Sequence, residues 1–190
     1  GGICEPTTSE LGVLAGDTCH LDIIDRWGNM VSATPSGGWL QSSPVIPELA
    51  FCVGTRLQIA WLDGRSASSL APGKPPRSTL SPTLALKDGE PWMAFGTPGG
   101  DGQDQWSTQL FLHHVHHRMN LQEAIDCPEF NNDHAPSSFY PRAANPGGLV
   151  LEGRFPKETA RSAVRWGVRP RSTDRPVWGT SNCGSAACIT

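Results

Sequence analysis

Thr18, with Gly16 and Asp17 before it and Cys19 and His20 after it, has the setting of a nucleophile. A threonine hydroxyl attacks poorly at its own pKa and needs a base. Cutting the chain just before the threonine frees an α-amine that takes the hydroxyl proton. The run Cys19-His20-Leu21-Asp22-Ile23-Ile24-Asp25 alternates as a half-buried strand does. Thr18 then stands at the rim of a rigid sheet, where a reactive group keeps its geometry. The plainer account of Thr18 is a strand-end or capping residue. Cys19 competes for the role, because a cut one residue later would make it an N-terminal thiol nucleophile.

The elements that must position these residues follow from turn and breaker chemistry. Leu21 to Arg26, Trp27-Gly28-Asn29 and Met30 to Thr34 predict a hairpin that brings Thr34 back near Thr18. Pro35-Ser36-Gly37-Gly38-Trp39 breaks the strand. Alternation in Phe51-Val53 and Leu57-Ile59-Trp61 predicts more sheet, with Arg56 projecting as an anion contact or, more plainly, a surface salt bridge. Ala71 to Arg77 is a proline-stiffened loop that delivers Ser78-Thr79-Leu80-Ser81-Pro82. Thr83 to Lys87, Asp88-Gly89 and Pro91 to Gly96 predict a second hairpin, followed by Thr97-Pro98-Gly99-Gly100. Paired glycines let successive N–H groups converge into a nest for negative charge, though a plain turn before a helix uses the same residues.

Apolar spacing at Leu110, Phe111, Val115 and Met119 predicts a helix over Trp106 to Met119, and a short one follows over Leu121 to Ile125. Pro156 to Trp166, closed by Gly167, predicts the last helix. Arg169 to Arg175 is basic and proline-broken, and Cys183 to Thr190 reads as a loose end. His113 and His117 fall at i and i+4, but no carboxylate or cysteine completes a metal set. A solvated helix end, where imidazoles favour the C-terminus, is the better reading.

The 190 residues suit one domain with a real core. Net charge is −3 and the 15 basic residues are dispersed, which excludes a nucleic-acid stripe or a polybasic membrane patch. No apolar run approaches the roughly 20 residues needed to span a bilayer, and the start lacks a signal-peptide layout. The expectation is a soluble protein, the cytoplasm favoured over periplasm or secretion, whose substrate is small. Six cysteines without a Cys-x-x-Cys pair read as buried thiols, with a Cys183–Cys188 bridge as the alternative in an oxidising compartment.

Taken in order, Thr18-Cys19-His20, Asp25-x-x-Gly28-Asn29-x-Val31, Leu80-Ser81-Pro82-Thr83, Lys87-Asp88-Gly89, Gly96-Thr97-Pro98-Gly99-Gly100 and Met119-Asn120-Leu121-Gln122-Glu123-Ala124 resemble the small subunit of the γ-glutamyltranspeptidase family. The resemblance runs from about Thr18 to about Phe130. It implies an N-terminal-nucleophile hydrolase cut from a precursor before Thr18, with a large subunit as partner and no cofactor or metal. It implies an α+β fold that is half of an αββα sandwich with antiparallel sheets. Residues 1–17 would be the tail of the large subunit, 18–168 the small-subunit domain and 169–190 an irregular, truncated or atypical tail.

By the same resemblance Thr34 hydrogen-bonds and activates the nucleophile, while Gly99 and Gly100 form the oxyanion hole. Ser78 and Thr79 bind a substrate carboxylate, and Ser36 keeps a hydroxyl in the substrate site. Two departures stand out. Gly38 replaces an asparagine, and Leu57-Gln58-Ile59-Ala60 replaces an acidic segment that pairs with the α-ammonium of glutamate. Gln58 offers only a neutral hydrogen bond there. The implied activity is cleavage of γ-glutamyl or similar amides by acyl transfer to water or an amine. Alternatives are an acylase for acyl groups lacking an α-amine and an inactive or incomplete fragment.

Overall fold

The structure, a computed structural model, describes residues 18–37, 44–75, 77–174 and 186–189. Strands β1 (Leu21–Ile24) and β2 (Met30–Ala33) form the predicted hairpin. Its turn is held by Asp25, whose carboxylate accepts from the N–H groups of Trp27 and Asn29, both at 2.9 Å, and from the Asn29 amide at 2.7 Å. The short strands β3 (Val45–Ile46) and β4 (Phe51–Cys52) pair with each other. Arg56–Ile59, expected as strand, is instead one turn of 3-10 helix with Ile59 fully buried. The apolar positions 57 and 59 alternate as in a strand, but only Ile59 finds a core to fill.

Strands β5 (Thr83–Lys87) and β6 (Glu90–Gly96) meet across Asp88-Gly89, both at positive φ, as a two-residue hairpin turn demands. Strand β10 (Ala186–Ile189) adds antiparallel to the other edge of β6. Residues 186–189, read from the sequence as part of a loose end, are thus a strand. The rule of alternation then decides the layers. Met93 and Phe95 face helix α1 (Gln103–Val115) and helix α2 (Leu121–Asp126), packing with Leu110 and Ala124. Phe95 stacks on Phe111 with ring centroids 5.5 Å apart. The opposite face of β6 carries Ala94 and Gly96, small enough for the β1–β2 hairpin to lie close: the Ser32 hydroxyl donates to the Phe95 carbonyl at 3.3 Å. Helices, one antiparallel sheet and a second antiparallel pair thus stack in order, the α+β layering expected of half a sandwich.

A further sheet joins β7 (Phe130–Asn132), β8 (Gly148–Glu152) and β9 (Arg169–Thr173), with β8 and β9 parallel and helix α3 (Lys157–Arg165) between them. Strand β9 corrects the reading of 169–175 as irregular. Its Pro170 is tolerated because β9 pairs on one side only among the described residues. Helix α1 docks on this sheet through glutamines one turn apart. Gln109 exchanges hydrogen bonds with the Phe130 N–H (3.0 Å) and carbonyl (2.8 Å), and Gln105 does the same with Asn132 at 2.9 and 3.1 Å. The two amides act as a surrogate strand along β7.

Where β8 ends beside the start of β7 two carboxylates are buried, Glu129 at 2% and Glu152 at 3% exposure. Arg154 pairs with Glu152. Burial first, and the Glu152 charge second, push Glu129 up to about 8 against the opposing pull of Arg154.

Candidate functional site

Hairpin register builds the site. Leu21 pairs with Ala33 and Ile23 with Val31, and the Cys19 N–H continues the ladder to the Pro35 carbonyl at 3.1 Å. Extending that register puts His20 opposite Thr34 and Thr18 opposite Ser36, with side chains on one face. Thr18 Oγ1 accordingly lies 2.8 Å from Ser36 Oγ, and Thr34 Oγ1 lies 2.8 Å from His20 Nδ1. This corrects one expectation: the hydroxyl that contacts the candidate nucleophile belongs to Ser36, and Thr34 is engaged by His20. Thr18 and Thr34 are both buried, while Cys19 points to the other, exposed face of the strand.

His20 is a site residue that the sequence reading left unused. Its Nε2 lies 2.8 Å from Asp22 Oδ2, so Thr34, His20 and Asp22 form a hydroxyl–imidazole–carboxylate chain. The His20 and Asp22 side chains are 0% and 2% exposed. The imidazole is sealed beneath β6, where a Cβ at Gly96 would come within 2.3 Å of the ring. A substrate has no path to it, so the chain positions the strand end that bears Thr18. The His-x-Asp spacing on one strand face was the available signal.

Gly99 caps and Gly100 opens a 3-10 turn, Gly100–Gly102, that leads from β6 into α1. Gly100 has φ +55°, and a Cβ on Gly99 would lie 1.9 Å from the Trp106 ring. Glycine is therefore required twice, once for left-handed backbone and once for contact. Among the described residues neither N–H meets an acceptor. Because Ser32 lies against Phe95 and His20 against Gly96, Thr18, Ser36 and the glycine pair issue from the same end of the layered sheets.

The substrate-binding candidates are disposed unevenly. Thr79 is buried and its hydroxyl has no partner, whereas Ser78 is exposed and its hydroxyl accepts from the Leu80 N–H at 3.1 Å. The loop is set by Gln103, fully buried at the head of α1, whose Oε1 accepts from the Ser81 N–H at 3.1 Å. Gln58 is exposed on the 3-10 turn, while Ile59 beside it faces the core. Gly38 lies outside the described residues.

Arg142 clamps this side of the site. It donates to the Ser138 carbonyl at 2.6 Å and the Ala60 carbonyl at 2.9 Å, with its guanidinium 4.5 Å from the Trp61 ring centre. Asp101 holds the same loop by accepting from the Ser138 N–H at 2.7 Å.

The histidine run does not gather a metal set among the described residues. The His113 and His117 rings are 5.7 Å apart, and burial, then the His117 charge, holds His113 below the usual imidazole range. Cys19, Cys52 and Cys127 are outside disulfides, and the Cys183–Cys188 alternative lies outside the described residues. No helix among the described residues is long and apolar enough to cross a membrane.

Comparison with known proteins places the chain in a family. The family model for gamma-glutamyltranspeptidase matches residues 9–179, well beyond Phe130. The chain is 31% identical to the glutathione hydrolase proenzyme of Pseudomonas sp. (strain A14) over 134 residues, 64% of this chain and 23% of that protein. It is 36% identical to the oxamate amidohydrolase proenzyme of Klebsiella pneumoniae over 144 residues, 74% of this chain and 26% of that protein. The chain thus spans about a quarter of the length of these curated relatives. Among solved structures, LmbA2991T421A superposes with a TM-score of 0.77 at 50% identity, over 92% of this chain and 30% of that one. A Helicobacter pylori gamma-glutamyltranspeptidase mutant shares the fold with a TM-score of 0.67 at 22% identity, over 90% of this chain and 97% of that one. With a family match over most of its length and a shared fold, the chain belongs to the γ-glutamyltranspeptidase family of N-terminal-nucleophile hydrolases.

Proposed function

We propose that this chain is the nucleophile-bearing part of an amide hydrolase or acyltransferase, in which Thr18 attacks the substrate carbonyl once the peptide bond before it has been cut. The carrying observation is the contact of buried Thr18 with half-buried Ser36, hydroxyl oxygens 2.8 Å apart, at the same strand end as the Gly99–Gly100 nest. The freed α-amine takes the Thr18 proton and later returns it to the leaving amine. Ser36 orients the Thr18 hydroxyl, and the Gly99 and Gly100 N–H groups receive the oxyanion. Water or an amine then accepts the acyl group. Thr79, with its unpaired hydroxyl, holds the substrate.

The remainder of the precursor is the partner. The relatives named above are proenzymes about four times as long as the matched stretch, and Leu21, Ile23 and Val31 present an uncovered apolar face on β1–β2. An acyl group without an α-ammonium is favoured over γ-glutamyl, because Arg56–Ala60 contains no acid. Replacing Thr18→Ala in the complete precursor abolishes both self-cleavage, read by mass, and turnover. Normal processing in that variant removes Thr18 from the role, and transfer of the effect to Cys19→Ala assigns it to the thiol.

A further inference from the structure

Arg56 opens the 3-10 turn that ends in fully buried Ile59, and the Ala60 carbonyl just beyond is held by Arg142. Its side chain is therefore carried on a rigid mount. The Arg56 Nε is buried and has no hydrogen-bond partner, and among the described residues no carboxylate pairs with the guanidinium. The next carboxylate along the chain, Asp63, is engaged by Arg65 at 2.8 Å. A buried donor left unsatisfied by the protein is costly to keep unless a ligand completes it.

The position of that donor is set by Gly37. Its φ is +79°, and a Cβ there would stand 2.8 Å from Thr55 Oγ1 and 3.7 Å from Arg56 Nε. Gly37 is thus backbone laid against Arg56, and the residue before it, Ser36, touches Thr18 Oγ1. Two consecutive residues link the nucleophile to a cation that no carboxylate pairs with among the described residues.

We propose that Arg56 selects the substrate by pairing with a carboxylate carried on its acyl group, next to the Thr18–Ser36 pair. The assignment rests on the acyl-transfer reading above and names the chemical class of its donor. A guanidinium fork binds a carboxylate through two parallel N–H···O bonds, and the same charge repels an ammonium. Arg56 would then both attract anionic acyl groups and exclude γ-glutamyl ones that present their amine on this side.

Binding and acylation test this separately, on the complete self-processed protein. Calorimetry with the dicarboxylates from oxalate to glutarate as probes should find at least one that binds. Arg56→Met should weaken it about ten- to hundredfold, Arg56→Lys should recover part of the loss, and neutral butyramide should bind both variants as it binds the parent. Absent dicarboxylate binding, affinity unchanged within twofold in Arg56→Met, or an equal loss for butyramide would overturn the proposal. Mass spectrometry of the protein with anilides of the same acyl groups reads the adduct on Thr18. Arg56-dependent binding without a Thr18 adduct would overturn the nucleophile and leave Arg56 standing, while an adduct with Arg56-independent binding would do the reverse.

Discussion

Hairpin β5–β6 buries Met93, Ala94 and Phe95 almost completely, whereas β1–β2 buries His20 and Asp22 and leaves Leu21, Ile23 and Val31 between 43% and 57% exposed. Both are antiparallel pairs closed by short turns containing glycine. They differ in what lies on each side. In the first, strand β6 lies between helix α1 and the β1–β2 hairpin, so both its faces lose water, while Leu84 and Leu86 of β5 stay 50% and 63% exposed. The second has a neighbour on one face only, and spends that protected face on hydroxyl, imidazole and carboxylate groups. Polar groups in a buried layer must be mutually satisfied, and the facing pairs Thr18–Ser36 and His20–Thr34 do this through register alone. Apolar packing is thus concentrated in strand β6 and polar side-chain pairing in the β1–β2 hairpin.

The largest effect that would break this contrast is Phe95→Ala, which should cost about 3–5 kcal/mol by denaturant titration of the assembled protein, since it removes a buried ring stacked on Phe111. A cost under about 1 kcal/mol would mean that β6 is not the packed centre. Gly100→Ala acts at the chemical end. Space for the methyl exists, with Phe139 at 3.5 Å, but φ +55° disfavours it by about 1–2 kcal/mol. If the nest holds an oxyanion, kcat falls about a hundredfold while KM stays within threefold. An unchanged rate returns the pair to a plain turn.

Ile23→Ala sharpens the comparison from the open side. In the complete protein it should cost about 2 kcal/mol or more, because we expect the rest of the precursor to cover that face. An effect below about 0.5 kcal/mol would leave the face in water. A different kind of test, in pH, concerns the buried carboxylates Glu129 and Glu152. Glu129 is raised from an ordinary value near 4.5 to about 8, so the folded chain binds a proton that the unfolded chain has released between those values. That stabilisation is fully present below about pH 4.5 and is lost as pH rises through about 8. Glu129→Gln should flatten this slope, measured as the urea midpoint at about pH 5 and about pH 8. An unaltered slope would show that Glu129 is ionised throughout.

Much of this was legible in local chemistry. Asp88-Gly89 announced its turn, and Asn120 with Glu123 formed the reciprocal cap that starts α2. The hairpin across residues 25–29 was predicted with its strands. Its register contained the Ser36 pairing, because Thr18 and Ser36 are equidistant from that turn. The expectation that Thr34 would contact Thr18 missed that count. The 3-10 turn at Arg56–Ile59 was hidden because a two-residue apolar alternation fits a strand as well as a turn with one residue inward.

Strands β9 and β10 were missed for a different reason. Each depends on a partner far along the chain, β9 on β8 across helix α3 and β10 on β6 across roughly ninety residues.

By itself, the sequence determined the order of motifs, the turns, the helices and the identity of the reactive residue types, because these follow from contacts within a few positions. The tertiary structure alone decided that His20 is sealed beneath Gly96, that Trp106 forbids a side chain at Gly99, and that the buried Arg56 Nε stands without a hydrogen-bond partner beside Gly37. Burial and pairing are properties of space between segments, and no local pattern carries them.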